Sequence, residues 1–461
     1  MTVLNRVRLT AGVIAALMLL PAEAGDWMFG ADLSFANEMD DCGAVFKDNG
    51  VRKDVYQLFK DHGANTARVR LWTDGNTSRY STPEDVVRSL KRAKATGLRT
   101  LLAFHYSDIW ADGGNQIIPA AWAGIRDPRK LAEVLYRYTY DTLIALDRQG
   151  AMPDIVQPGN EINRDMLSPA PWKGGAIDWR RNALLLNSAI RAIRDAGRKT
   201  GTHPRVMIQI AQPENTLPWF SNAAAAGVTD FDMIGVSYYT QWSYQSLRGL
   251  GRTISILRHT YRNADVVVVE TAYPRTTGTS AAAATMVMEN VVPGLPATPE
   301  GQKRFLIELG QAVIANGGKG VLTWAPEWLP QLCRPDARYE TNWSTMTLFD
   351  SNGEALPAID HMRLANYRLP VNVTFRFHDT SPAARATYWL WGDFFGDTAP
   401  MSFPLSREGS DLVFRTSLMP GMPVQFQVFE DRTLKTSMIR TAPERNGAVN
   451  AVVGEDRKSV V

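Results

Sequence analysis

Cysteine is nearly absent: the chain has two, Cys42 and Cys333, in 461 residues. With only six histidines besides, no cluster has zinc spacing, so neither a disulfide scaffold nor a structural zinc organises this chain. Charge of one sign is lacking as well. The 50 basic and 47 acidic residues leave a net +3, which gives no long-range field toward nucleic acid. Past the N-terminus no stretch has the length and apolarity of a membrane span. The first strand expected, Trp27 to Leu33, is not followed by a glycine-rich phosphate loop; Ser34-Phe35-Ala36-Asn37-Glu38 stands there. That argues against a doubly wound nucleotide-binding sheet, the alternative for a chain of this pattern.

The N-terminus carries its own signal. Arg6 and Arg8 precede an apolar run, Leu9 to Leu20, too short to cross a bilayer, and Ala22-Glu23-Ala24 is a small-x-small cleavage site. Residues 1–24 are therefore expected to be a signal peptide, and the mature chain to be secreted or periplasmic with no membrane contact after cleavage. In an exported chain an even cysteine count favours a Cys42–Cys333 bond.

What is abundant is the alternation of apolar strands with amphipathic helices. Val266-Val267-Val268-Val269 is a run of β-branched residues that cannot alternate between core and water, so it suits a strand buried on both faces. Similar runs occur at Asn65–Trp72, Leu98–Phe104, Ile155–Pro158, Pro204–Ile210, Met233–Val236 and Gly320–Trp324. Helical segments lie between them: Val51–His62, Pro83–Thr96, Pro128–Gln149, Asp178–Thr200, Gln245–Arg262 and one from Thr298-Pro299-Glu300, with a last near Pro357–Tyr367. Eight strands alternating with helices over residues 25–369 predict a (β/α)8 barrel. From 370 to 454 the pattern changes to short strands rich in β-branched and aromatic residues, which predicts a small all-β sandwich before a charged tail, 455–461. Trp389 and Trp391 share one face of such a strand, a face assigned here to the sandwich core rather than to an exposed platform.

Two strands end in a carboxylate. Gly159-Asn160-Glu161 closes one and Val269-Glu270-Thr271 the other. In a parallel barrel, chemistry sits at the C-terminal ends of the strands, and two carboxyls there are the minimum equipment for cleaving a glycosidic bond. Arg68 and Arg70, two apart on a strand, share a face toward the barrel mouth.

The ordered motifs Gly30-Ala31-Asp32-Leu33-Ser34, Arg68-Val69-Arg70-Leu71-Trp72, His105-Tyr106-Ser107-Asp108-Ile109-Trp110-Ala111-Asp112, Gly159-Asn160-Glu161, Gly235-Val236-Ser237-Tyr238-Tyr239 and Val269-Glu270-Thr271 resemble glycoside hydrolase family 53, the endo-β-1,4-galactanases of clan A. The resemblance covers about Trp27 to Leu364. It implies a retaining hydrolase of pectic β-1,4-galactan or arabinogalactan that needs no cofactor, with Glu161 as acid/base and Glu270 as nucleophile. It further implies that Arg68 keeps Glu270 ionised, Tyr238 orients it, Asn160 bonds the sugar 2-OH and Trp324 lies under the reacting sugar. Asp32, His105, Asp108, Trp110 and Asp112 complete the implied sugar-binding set. The sandwich's opening strands resemble starch-binding-type modules only faintly, and no binding residue is carried over.

The sequence also departs from the family pattern. Trp324-Ala325-Pro326-Glu327-Trp328 replaces the usual Trp-Glu-Pro, Gln209 stands for a usual His, and Pro158 precedes Gly-Asn-Glu. The loop Thr276–Ala284, where bacterial relatives often hold calcium, offers no carboxylate, so no calcium is expected there. A hydrolase of another β-glycan, or a glycan-binding protein on a hydrolase barrel, remains compatible with these departures.

Overall fold

The structure, a computed structural model, describes residues 27–73, 78–280, 287, 291–332, 341–378, 387–392, 402–429 and 449–452. The signal segment, the tail and Cys333 lie outside the described residues, as do residues 281–284 of the calcium-candidate loop. Among the described residues no helix is long and apolar enough to cross a membrane.

Eight parallel strands close a barrel: β1 (Met28–Asp32), β2 (Thr66–Leu71), β3 (Arg99–Phe104), β4 (Ile155–Pro158), β5 (Arg205–Ala211), β6 (Met233–Ser237), β7 (Asp265–Glu270) and β8 (Gly320–Trp324). Each pairs with its sequence neighbours, and β1 closes the ring against both β8 and β2. The seam is tight. A Cβ on Gly30 would stand 1.7 Å from the Thr66 carbonyl oxygen, and one on Gly320 1.9 Å from that of Met28, so only glycine fits either place.

Side chains alternate along each strand. Val267 and Val269 turn into the barrel with Met28, Leu101, Ile155, Met207, Met233 and Leu322, whereas Val266 and Val268 join the layer under the helices. The outer ring holds α1 (Ala36–Asp41), α2 (Val55–Asp61), α3 (Pro83–Ala95), α4 (Pro128–Arg148), α5 (Trp179–Thr200), α6 (Pro213–Ala225), α7 (Leu247–Thr260) and α8 (Pro299–Ala315). Local chemistry starts them. Thr82 and Thr298 cap α3 and α8 by accepting from the Asp85 and Gly301 amides at 3.3 and 3.1 Å, each with proline in the first turn.

Three sequence expectations shift. Val51–Arg52 is extended and pairs with Lys47–Asp48, and α2 starts only at Val55 behind the Asp54 cap. The last helix is instead two 3-10 turns, Pro357–Met362 and Leu364–Asn366. Finally, α1 and α6 were not expected. In α6, Thr216, Trp219, Phe220 and Ala223 keep helical spacing, but Pro218 inside the helix breaks the pattern as it is read in sequence.

The C-terminal region forms two antiparallel sheets. One orders β9 (Val371–His378), β13 (Asp411–Leu418) and β12 (Ser406–Glu408); the other orders β11 (Ser402–Pro404), β10 (Trp389–Gly392), β14 (Pro423–Phe429) and β15 (Val449–Val452). Their common core holds Phe375, Leu390, Phe414 and Phe426. Leu390 and Tyr388 face that core, so Trp389 and Trp391 fall on the opposite, half-buried face, contrary to the core assignment. The sheets rest on the C-terminal end of α7. The His259 ring stacks on Phe414 with ring centres 5.5 Å apart, and its Nε2 lies 3.0 Å from the Thr416 hydroxyl. Arg258 donates to Thr416 and Ser417 and Arg262 to the Pro404 carbonyl, at 3.0 to 3.2 Å.

Candidate active site

The inward positions at the C-terminal ends of the strands form a polar layer. Its centre is Arg68 on β2, fully buried, whose guanidinium reaches Asp32 on β1 at 2.6 Å and Glu270 on β7 at 2.8 Å. The same group donates to Asn160 at 2.6 Å and to Gln209 at 3.2 Å. A buried guanidinium is tolerated because its forked donors all meet acceptors and two carboxylates balance it.

Strand alternation alone would turn Glu270 outward, since Val269 already faces in. The register between β6 and β7 shifts at this point: Val236 pairs with Val268, and Ser237 with Glu270. The extra residue re-aims Glu270 into the barrel mouth, a usual role of a bulge beside a site. There its Oε1 accepts from Gln209 Nε2 at 2.8 Å and its Oε2 from the Tyr239 hydroxyl at 3.2 Å. Glu161 follows β4 with a left-handed backbone, φ 45°, and its Oε2 accepts from the Gly113 amide at 3.1 Å. Tyr106, Gln212 and Ala325 also have positive φ, so four of the seven such non-glycine residues among those described sit just past the ends of β3, β4, β5 and β8.

The two carboxyls differ in environment. Burial, and then repulsion from Glu270, push Glu161 up to about 8. Burial raises Glu270 too, but Arg68 above all, together with the hydrogen bonds from Gln209 and Tyr239, opposes the rise. The shared proton therefore resides on Glu161, leaving Glu270 as the carboxylate. His105 is held well below its usual range by burial and by Arg68 and Arg70, so it stays neutral; its Nδ1 accepts from the Ala111 amide at 3.2 Å.

Above this layer lies one cleft. His105, Trp110, Asp112, Asn160, Glu161, Glu270 and Trp324 line it, which unites most of the residues expected from sequence. Asp32 and Arg68 lie beneath the cleft rather than in its wall. Asp108 is not part of the wall; its Oδ2 accepts from the Ala120 amide at 2.7 Å and orders the loop after β3. Tyr238 is a correction. Its hydroxyl donates to the Gln245 carbonyl at 2.8 Å, and the hydroxyl on Glu270 belongs to Tyr239. Met233, inside the barrel, sets the parity of β6: 235, 237 and 239 face in, and 238 faces out.

Residues not singled out from sequence complete the wall. Trp242, Trp328 and Trp343 join Trp110 and Trp324 there, with Trp324 and Trp343 edge-to-face at 4.6 Å. The altered eighth-strand motif has a structural place. Glu327 is fully buried, accepts from the Phe35 amide at 3.0 Å and is pushed up to about 8 by burial, while Phe35 stacks on Trp328 at 4.2 Å. Gln209 joins the two acids: its carbonyl accepts from the Glu161 amide at 3.4 Å while its amide donates to Glu270. Among the described residues no group of three or more His, Cys, Asp or Glu could hold a metal ion.

A buried protonated carboxyl opposite a carboxylate, under an indole-walled cleft on a (β/α)8 barrel, defines a glycoside hydrolase. Comparison with known proteins narrows the class. The family model for glycosyl hydrolase family 53 matches residues 28–362, and the chain belongs to that family. It is 46% identical over 333 residues to an arabinogalactan endo-β-1,4-galactanase of Cellvibrio japonicus, covering 71% of this chain and 88% of the relative. An endo-β-1,4-galactanase of Bacillus subtilis is 31% identical over 337 residues, 69% of this chain and 75% of the relative. Among solved structures, the family 53 catalytic domain of Ignisphaera aggregans superimposes with a TM-score of 0.65 at 28% identity, covering 78% of this chain and 99% of that one. A structure from a study of two fungal β-1,4-galactanases gives 0.64 at 29% identity, with 73% and 99% covered.

Proposed function

We propose that the protein is an exported endo-β-1,4-galactanase that cleaves galactan or arabinogalactan with retention. The observation that carries the chemistry is the unequal carboxyl pair, Glu161 raised to about 8 and Glu270 held by Arg68 at 2.8 Å. Glu161 gives its proton to the glycosidic oxygen as that C–O bond breaks, and a Glu270 oxygen attacks the anomeric carbon. The resulting glycosyl ester is opened by water, whose proton passes to the Glu161 carboxylate, and Glu270 leaves as it began. Three fixed donors on Glu270 suit a nucleophile whose charge is spent and recovered, since they stabilise the departing carboxylate. The galactan assignment is supported by the named activities of the relatives, and export by the Arg6–Ala24 segment.

Purified protein should hydrolyse β-1,4-galactan and leave mannan and xylan untouched. Glu270→Ala should be inactive on galactan. Azide should restore part of the turnover with products of inverted anomeric configuration. Near-normal turnover by Glu270→Ala would remove Glu270 from the mechanism, and inversion by the unaltered enzyme would remove the covalent step.

A further inference from the structure

The two ends of the cleft are built from different chemistry. Glu270 attacks the donor sugar and Glu161 protonates the oxygen beyond it, so the acceptor sugar lies on the far side of Glu161. The donor end has the indoles of Trp324, Trp328 and Trp343. The acceptor end is lined by Asn163 and Arg164 after β4 and by Gln212 and Asn215 at the start of α6. Asn163 is committed to the backbone, bonding the Ala211 amide and carbonyl at 2.8 and 3.0 Å.

Arg164 is not so committed. Its guanidinium carbon stands 3.5 Å over the ring of Trp172, which is 43% exposed. Among the described residues no carboxylate pairs with it, and its buried Nε has no hydrogen-bond partner. It is also the only lysine or arginine among the described residues of the cleft wall. A neutral acceptor galactose would be served by amides and an indole face. A cation stacked on an indole at the cleft wall, with no carboxylate of its own among the described residues, is a receptor for a carboxylate.

We propose that Arg164 and Trp172 form an acceptor-side subsite for a sugar carrying a carboxylate, so that the enzyme favours galactan bonds next to a uronate. The subsite rests on the galactanase reading. Its test compares kcat/KM on three substrates: uronate-free β-1,4-galactan, pectic galactan still joined to its galacturonate-containing backbone, and that same material with its carboxyls reduced to alcohols. The unaltered enzyme should prefer the native over the reduced pectic substrate by about fivefold, the value of a half-exposed ion pair. Arg164→Gln should bring the ratio to about one, and Arg164→Lys should keep part of it. About 0.5 M salt should erase the ratio in the unaltered enzyme, a readout that needs no variant. A purely structural Arg164 would change both rates together and leave the ratio intact. A ratio near one in the unaltered enzyme, or one that survives in Arg164→Gln, overturns the subsite. Failure to cleave the uronate-free galactan overturns the galactanase reading instead, and is seen separately.

Discussion

Replacing Tyr239 by phenylalanine removes one hydroxyl and no ring. That hydroxyl lies 3.2 Å from Glu270 Oε2, in a buried setting where no other hydrogen bond to this oxygen is found among the described residues. A hydrogen bond to a charged group contributes about 1.5–3 kcal/mol, and its length places this one at the lower end. The loss in kcat/KM on galactan should therefore be about tenfold, since about 1.4 kcal/mol is one decade. The pH profile should move as well. The hydroxyl favours the ionised carboxylate, so its removal raises the Glu270 pKa and shifts the acid limb of kcat/KM to higher pH. Tyr238→Phe is the internal control. It removes a bond to the Gln245 carbonyl and should lower stability by about 1 kcal/mol, with kcat/KM changed less than about threefold. A larger loss from Tyr238→Phe than from Tyr239→Phe would refute the alternation argument, and an unmoved acid limb in Tyr239→Phe would refute the electrostatic one.

Three further outcomes follow from the same structure. Glu161 has a folded pKa near 8, above its unfolded value, so its contribution to stability is full below about pH 4.5 and is lost as pH rises toward 8; Glu161→Gln should raise the melting temperature at pH 7 and leave it unchanged at pH 4, and a lower melting temperature at pH 7 would contradict this. Leu390→Ala should destabilise the C-terminal sheets by about 2–5 kcal/mol in denaturant melts, whereas Trp391→Ala on the half-buried face should cost clearly less; equal losses would return Trp391 to the core. Thiol titration of denatured, unreduced protein should find no reactive cysteine if Cys42 and Cys333 are joined, and two reactive thiols would exclude the bond.

The barrel was legible because strands buried on both faces leave continuous apolar runs, as at Val266–Val269, and because Thr-Pro pairs mark the starts of α3 and α8. Helix α6 was hidden by Pro218, a residue that normally ends the pattern it here interrupts. At the site, both acids could be read because each closes an apolar run. Tyr239 is reachable by counting alternate positions along β6, whereas motif order alone points to Tyr238. The bulge that turns Glu270 inward leaves no such trace, since it depends on pairing between two strands. Trp328 and Trp343 come from loops after β8, and loop residues converge through tertiary packing that no local periodicity reports.

The attachment of the C-terminal sheets to α7 sets a direction for the whole molecule. Helix α7 runs back from the catalytic end of β6, so Arg258, His259 and Arg262 lie where the chain turns to begin β7, at the barrel's closed base. The sheets thus occupy the pole opposite the mouth. Anything held by the outer face of those sheets would therefore have the cleft looking away from it, and the two surfaces could be occupied without obstructing one another.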